Sequence, residues 1–266
     1  MSFSINGKTA VVTGAANGIG LAIARQFADK GANVMCADMD EKKLADEWGV
    51  EQEESNVRYF AGDLRQRLTI ANLVSATIDA FDQVDILVNA SRQVIPTDAL
   101  SVDDDSVKVM LEQNLMTSLL LSQQVARRMI KQGEEQSEGQ VGSIINFSSI
   151  AAKGTRPELM GYSISVAAVE QMTRSMALAL APHRIRVNAL AFGSVMSASL
   201  QSSVADQDEW RDDIRAKTPL GRIAAPTELA DVVQFLAAES SGFVTGEVIT
   251  VDGGRSLLDA VSAPVH

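Results

Sequence analysis

The sequence predicts an α/β fold, a doubly wound parallel sheet with helices on both faces, formed as a single domain over residues 1–266. Three observations carry this reading. Short apolar runs alternate with longer amphipathic stretches almost from end to end, which is the pattern of buried parallel strands separated by helices. A glycine-rich turn joins the first apolar run directly to the first amphipathic stretch. No Pro/Gly/Ser-rich linker and no internal repeat divides the chain.

Taken in order, Lys8–Thr13 reads as a strand, Gly18–Lys30 as a helix and Ala32–Ala37 as a second strand. Asn56–Phe60 and Val84–Asn89 are further strand candidates, with a helical pattern at Arg67–Phe81 between them. Ser101–Lys131 reads as one long helix, followed by the polar insert Gly133–Gln140, a solvated surface loop. Ser143–Phe147 and Ile185–Ala189 are strands on either side of a helix at Gly161–Ala181. A last helix at Thr227–Ala238 precedes a final strand, Val248–Val251.

Composition narrows the chemistry. With 46% hydrophobic and 21% charged residues, the chain is ordinary globular material, which excludes collagen-like, disordered and low-complexity classes. The one cysteine, Cys36, precludes an internal disulfide or a cysteine-based cluster. The two histidines, His183 and His266, leave little for a zinc or haem site, so no metal is expected. A net charge of −11, with no basic run beyond Arg127-Arg128, argues against duplex nucleic acid and against anionic membranes as partners. No signal peptide is visible, and no apolar run approaches the roughly 20 residues of a membrane span. The expectation is a soluble, cytoplasmic protein.

The glycine turn is Thr13-Gly14-Ala15-Ala16-Asn17-Gly18-Ile19-Gly20. Glycines there let the backbone turn tightly and approach a pyrophosphate, and the helix that follows offers N–H donors and the positive end of its dipole. Asp38 ends the second strand, 18 residues after Gly20. A carboxylate at that place accepts hydrogen bonds from the adenosine ribose hydroxyls and repels a 2′-phosphate. The cofactor expected is therefore NAD rather than NADP, on a Rossmann-type sheet.

With Asp63-Leu64, Asn114, Ser148-Ser149, Tyr162, Arg186-Val187-Asn188-Ala189, Thr245-Gly246 and Val251-Asp252-Gly253-Gly254 in this order, the chain resembles the short-chain dehydrogenase/reductase family in its compact single-domain branch. The resemblance covers nearly the whole chain. It implies that Asp63 and Leu64 flank the adenine and that Gly193, Val195 and Ser197 lie along the nicotinamide and pyrophosphate. It places Asn89 at a strand end beside the cofactor, and it implies a homotetramer. Hydride transfer to a carbonyl leaves an alkoxide, so such a site needs an acid and a second donor beside the oxygen. By the resemblance these are Tyr162 and Ser149, 13 residues apart, with Asn114 as the helix-borne asparagine of the proton relay.

Three positions depart from the family's pattern. Where the family places a lysine one turn after its tyrosine, this chain has Val166. That lysine holds the nicotinamide ribose and favours the phenolate; an opposite charge about 4–6 Å away moves a pKa by roughly 1–3. A tyrosine at its ordinary pKa near ~10 is phenolate about once in a thousand molecules at neutral pH. Alcohol oxidation, which needs the phenolate, suffers more than ketone reduction. On this reading Val166→Lys raises turnover about tenfold or more. Asn89-Ala90-Ser91-Arg92 stands where the family has Asn-Asn-Ala-Gly, and the bulky Arg92 either turns outward or reaches a cofactor phosphate. Phe192 replaces a proline before Gly193.

Two functions follow. One is an NAD(H)-dependent oxidoreductase acting on a small secondary alcohol or ketone with an atypical active site. The other is a catalytically impaired family member that binds the dinucleotide as a sensor or assembly subunit. A serine hydrolase is disfavoured because no Gly-x-Ser-x-Gly elbow exists, and no glycine loop ends in Gly-Lys-Ser/Thr as a phosphate-loop NTPase requires. Met196–Thr218 corresponds to the family's substrate-covering segment, with Met196, Leu200 and Trp210 as apolar candidates. Lys153 reads as a solvated loop lysine, with a substrate-side role as the alternative.

Overall fold

In the computed structural model, residues 3–49, 55–134, 136–154, 156–196, 200 and 208–259 are described. The strands are β1 (Thr9–Thr13), β2 (Asn33–Asp38), β3 (Val57–Ala61), β4 (Ile86–Asn89), β5 (Gly142–Ser149), β6 (Ile185–Phe192) and β7 (Val248–Val251). The helices are α1 (Gly18–Asp29), α2 (Glu41–Trp48), α3 (Arg67–Phe81), α4 (Ser106–Met110), α5 (Thr117–Gly133), α6 (Met160–Leu180), α7 (Asp208–Ala216) and α8 (Pro226–Ala237). All seven strands run parallel in the order β3-β2-β1-β4-β5-β6-β7. The order reverses between β1 and β4, which opens a crevice at the carboxyl ends of the strands.

Strand alternation builds two cores. Ala10, Val12, Val34 and Cys36 face one side, where Ile23 and Phe27 of α1 meet Val233 and Leu236 of α8. Val11, Met35 and Leu87 face the other, against Leu73 of α3, Leu121 and Val125 of α5, and Ala177 of α6. Both faces of the central strands are thus covered, and the near-continuous apolar runs read from the sequence are the signature of that burial.

Three departures from the sequence reading stand out. Helix α2 is absent from that reading because only Leu44 in it is fully buried, a stripe too thin to give a period. It forms on its cap, in which the Asp40 carboxylate accepts from the Lys43 N–H at 3.1 Å. The single long helix expected at Ser101–Lys131 begins instead at Ser106 and is widened into a π turn at Leu111–Met116. There Thr117 Oγ1 donates to the Glu112 carbonyl five residues back at 3.1 Å. Strands β5 and β6 run past Phe147 and Ala189 to Ser149 and Phe192, which are register partners. The polar Ser148-Ser149 mimics a turn while continuing the ladder. No described helix is long and apolar enough to cross a membrane.

Candidate active site

The crevice holds a cleft of about 540 Å³, lined by Gly14, Asn17 to Gly20, Asp38, Met39, Gly62 to Arg65, Ala90 to Gln93 and Gln113. Gly14 and Gly18 adopt φ of +69° and +58°, a region that favours glycine. A side chain on Gly14 would come within 3.0 Å of the Ser91 backbone, and one on Gly20 would run into the Gly14 carbonyl. The turn is therefore packed to backbone contact on the sheet side. Thr13 Oγ1 fastens the β4 end to it, accepting from the N–H groups of Ala90 (3.1 Å) and Ser91 (3.0 Å). Asn17 is the N-cap of α1, and its side chain makes no capping bond.

Asp38 closes the cleft at the end of β2. One carboxylate oxygen accepts from the Ala16 N–H at 3.1 Å and the other from the Asp40 N–H at 3.1 Å. Each oxygen keeps a further lone pair. Asp63 and Leu64 follow β3; Asp63 is paired with Arg65 at 2.6 Å, and that hydrogen-bonded guanidinium holds the carboxyl below its ordinary range. A backbone cradle that a Cβ would fill, beside an acidic strand end, fits an adenine dinucleotide.

Not every expected cofactor residue meets the cleft. Asn89 is buried, and its amide donates to Ser122 (2.9 Å) and Asn146 (2.8 Å), so its side chain ties β4 to β5 and α5. Gly193 follows β6 with its N–H donating to the Val251 carbonyl at 3.2 Å. Val195 is buried and bridges to Ala224. Neither is among the residues lining the cleft. Ser197 lies outside the described residues. In the segment expected from the resemblance to cover the substrate, Trp210 is exposed on α7, and residues 197–199 and 201–207 lie outside the described residues. Lys153 and His183 are exposed.

The proton-exchange candidates gather beside the cleft. Ser149 ends β5, its hydroxyl accepting from the Ala151 N–H at 3.2 Å and reaching the Phe192 carbonyl at 3.5 Å. Tyr162, near the start of α6, is buried and packs with Ala151 and Val166. Val166 is itself buried and lies one turn further along α6. Asn114 sits in the π turn. Its amide donates to the Gln93 carbonyl and to Ser165 Oγ, both at 3.0 Å, and its oxygen accepts from the Gln93 N–H at 2.8 Å. It thus clamps the backbone next to Arg92.

Arg92 takes a course the sequence did not suggest. Its Nη1 donates to the Tyr162 hydroxyl at 2.6 Å, and its guanidinium carbon lies 4.2 Å above the Phe192 ring. Phe192 in turn meets Phe147 edge-on at 5.6 Å. Ser91, Gln93 and Gln113 also line the cleft. No periodicity or motif marks them, because backbone course alone brings them in, Ser91 and Gln93 from the β4 end and Gln113 from the π turn.

A family model described as enoyl-(acyl carrier protein) reductase matches residues 14–256. An L-rhamnose 1-dehydrogenase (NAD(P)+) from Sphingomonas is 33% identical, over 94% of this chain and 96% of that protein. A 3-oxoacyl-[acyl-carrier-protein] reductase from Thermotoga maritima is 34% identical over 94% and 98%. The solved structure of a gluconate 5-dehydrogenase from Burkholderia cenocepacia, in complex with NADP and tartrate, superimposes with a TM-score of 0.85 at 28% identity, covering 97% of this chain and 98% of that one. The glycine-cradled crevice and the side chains at its mouth thus sit on a scaffold shared over nearly its whole length, and the chain belongs to the short-chain dehydrogenase/reductase family.

Proposed function

We propose that the protein is an NAD(H)-dependent oxidoreductase that moves a hydride between nicotinamide and a small secondary alcohol or ketone. The observation that carries the reading is the gathering of Ser149, Tyr162 and the Asp38-closed cleft at one end of the sheet. When bound, the nicotinamide supplies or accepts the hydride. The protein's part is the oxygen's proton and charge. Ser149, at the β5 end, donates to the carbonyl oxygen, and Tyr162 gives up or takes back the proton. Asn114 holds the Gln93 backbone and Ser165, and so fixes both the β4 end and the first turn of α6. Asp38 favours NAD, since a 2′-phosphate would meet its carboxylate. Val166 stands in the place of the family's lysine, a position from which valine neither carries charge nor binds ribose. The reading includes the homotetramer and the cytoplasmic setting expected from the sequence.

A second reading, a dinucleotide-binding sensor or assembly subunit with little turnover, is favoured specifically by Val166. One experiment separates the two. NADH is titrated by its fluorescence, and its oxidation is then followed across a panel of ketoses, oxidised sugar acids and 3-oxoacyl thioesters, classes suggested by the relatives. Turnover on a panel member supports the enzyme. Tight NADH binding with no turnover on any member supports the sensor.

A further inference from the structure

We propose that Arg92 is the positioning residue that places a positive charge on the Tyr162 hydroxyl, and that Phe192 and Asn114 hold it there. The inference rests on the oxidoreductase reading and names the partner of its proton donor. The contact is direct, at 2.6 Å from Nη1 to the phenol oxygen, and a guanidinium keeps its charge throughout the working pH range. Valine at position 166, buried against the same tyrosine, brings none.

Position 92 is exposed at the cleft mouth, so its geometry needs support, and two elements give it. The Phe192 ring lies under the guanidinium at 4.2 Å, a cation–π platform, and Phe147 braces that ring from the side. Asn114 grips the Gln93 backbone through both its N–H and its carbonyl, at 2.8 and 3.0 Å, immediately after Arg92. Three of the residues that depart from the resembled pattern, Val166, Arg92 and Phe192, are thus linked through the Arg92–Tyr162 contact. A guanidinium carries five N–H donors, so the single bond to Tyr162 leaves others for groups entering the cleft.

The test uses the full chain labelled with [13Cζ]tyrosine. The chain has two tyrosines, Tyr59 and Tyr162, so two resonances report at fixed pH without any cofactor. Arg92→Met is expected to move the Tyr162 resonance and leave that of Tyr59 in place, with Arg92→Lys moving it less. Arg92→Gln, which keeps a hydrogen-bond donor and removes the charge, separates charge from packing and should behave like Arg92→Met. In turnover, loss of a charge-assisted hydrogen bond is expected to lower kcat roughly 10- to 100-fold, with the Kd for NADH and the KM changed less. Val166→Lys should raise the activity of Arg92→Met by a larger factor than that of the unaltered chain, a non-additive cycle.

Wild-type kcat and an unmoved Tyr162 resonance in Arg92→Met would overturn the proposal. So would an equal gain from Val166→Lys in both backgrounds. If the unaltered chain turns over no panel member, the oxidoreductase reading fails by itself. The resonance then decides alone: moved, the guanidinium holds the phenol; unmoved, it does not.

Discussion

Asp38 does two things with one carboxylate. It accepts the Ala16 N–H, which fastens the glycine turn to the end of β2, and it offers its remaining lone pairs to the cleft. Asp38→Ala is therefore expected to weaken NAD by about tenfold or more, the scale of a charged hydrogen bond. NADP should weaken less, since the repulsion of its 2′-phosphate disappears too. Fluorescence titration of the two reduced nucleotides checks this, and equal weakening would remove the ribose assignment. Tyr162→Phe is a test of chemistry rather than binding. On the proposed function, deleting the general acid is expected to cost kcat about 10²–10⁴-fold, while NADH binding stays within a few-fold. At this scale the glycine turn and Asp38 at the cleft were legible because a strand, a glycine-rich turn and a helix in that order mark the place, whereas Ser149 and Tyr162 were read from the family resemblance. The partner of Tyr162 was not. Residues 92 and 162 are 70 apart in sequence, and a guanidinium on a loop has no pattern that shows where it turns.

Among the elements, α8 shows how the scaffold behind the site is held. Its start is fixed by Glu228, which accepts from the Ala225 N–H at 2.8 Å and from Arg222 at 2.6 and 2.7 Å. Its end is fixed by Arg186 of β6, whose guanidinium donates to the carbonyls of Leu236 (2.7 Å) and Ala238 (3.2 Å), a cation at the negative end of the dipole. Burial pulls Arg186 down to about 10, still charged at neutral pH. The Arg222 hydrogen bonds, joined by that of the Ala225 N–H, hold the Glu228 carboxyl at about 2, against an ordinary 4.5. A carboxyl lowered on folding stabilises the fold above its unfolded value. That contribution is lost as the pH falls from about 4.5 towards about 2. Glu228→Gln should thus flatten the dependence of Tm on pH across this window and leave it unchanged at neutral pH. An identical slope in both proteins would show that the pair adds nothing. Sequence reading located α8 to within a residue, since its apolar period is strong. It could not see the π turn between α4 and α5, because one extra residue in a single turn leaves no mark in composition.

For the whole molecule, the doubly wound class was legible from the alternation and the glycine turn, while the end of β5 was not, serine being poor at announcing a strand. A homotetramer is expected of the intact protein, and light scattering should give about four times the 28.4 kDa chain mass; a mass of one chain would remove that expectation. A last consequence belongs to β2. Cys36 is fully buried, it is the chain's one thiol, and burial pushes it up from its ordinary value, so the folded protein presents almost no thiolate. It stands two residues before Asp38, between register partners on β1 and β3. A thiol reagent can reach it only when the helix layer of α1 lifts from the sheet over β2, which makes its labelling rate a clock for opening of the nucleotide-binding half. NADH should slow that clock by a factor of one plus the ratio of its free concentration to its Kd, and a rate indifferent to NADH would mean that the opening leaves the cleft intact.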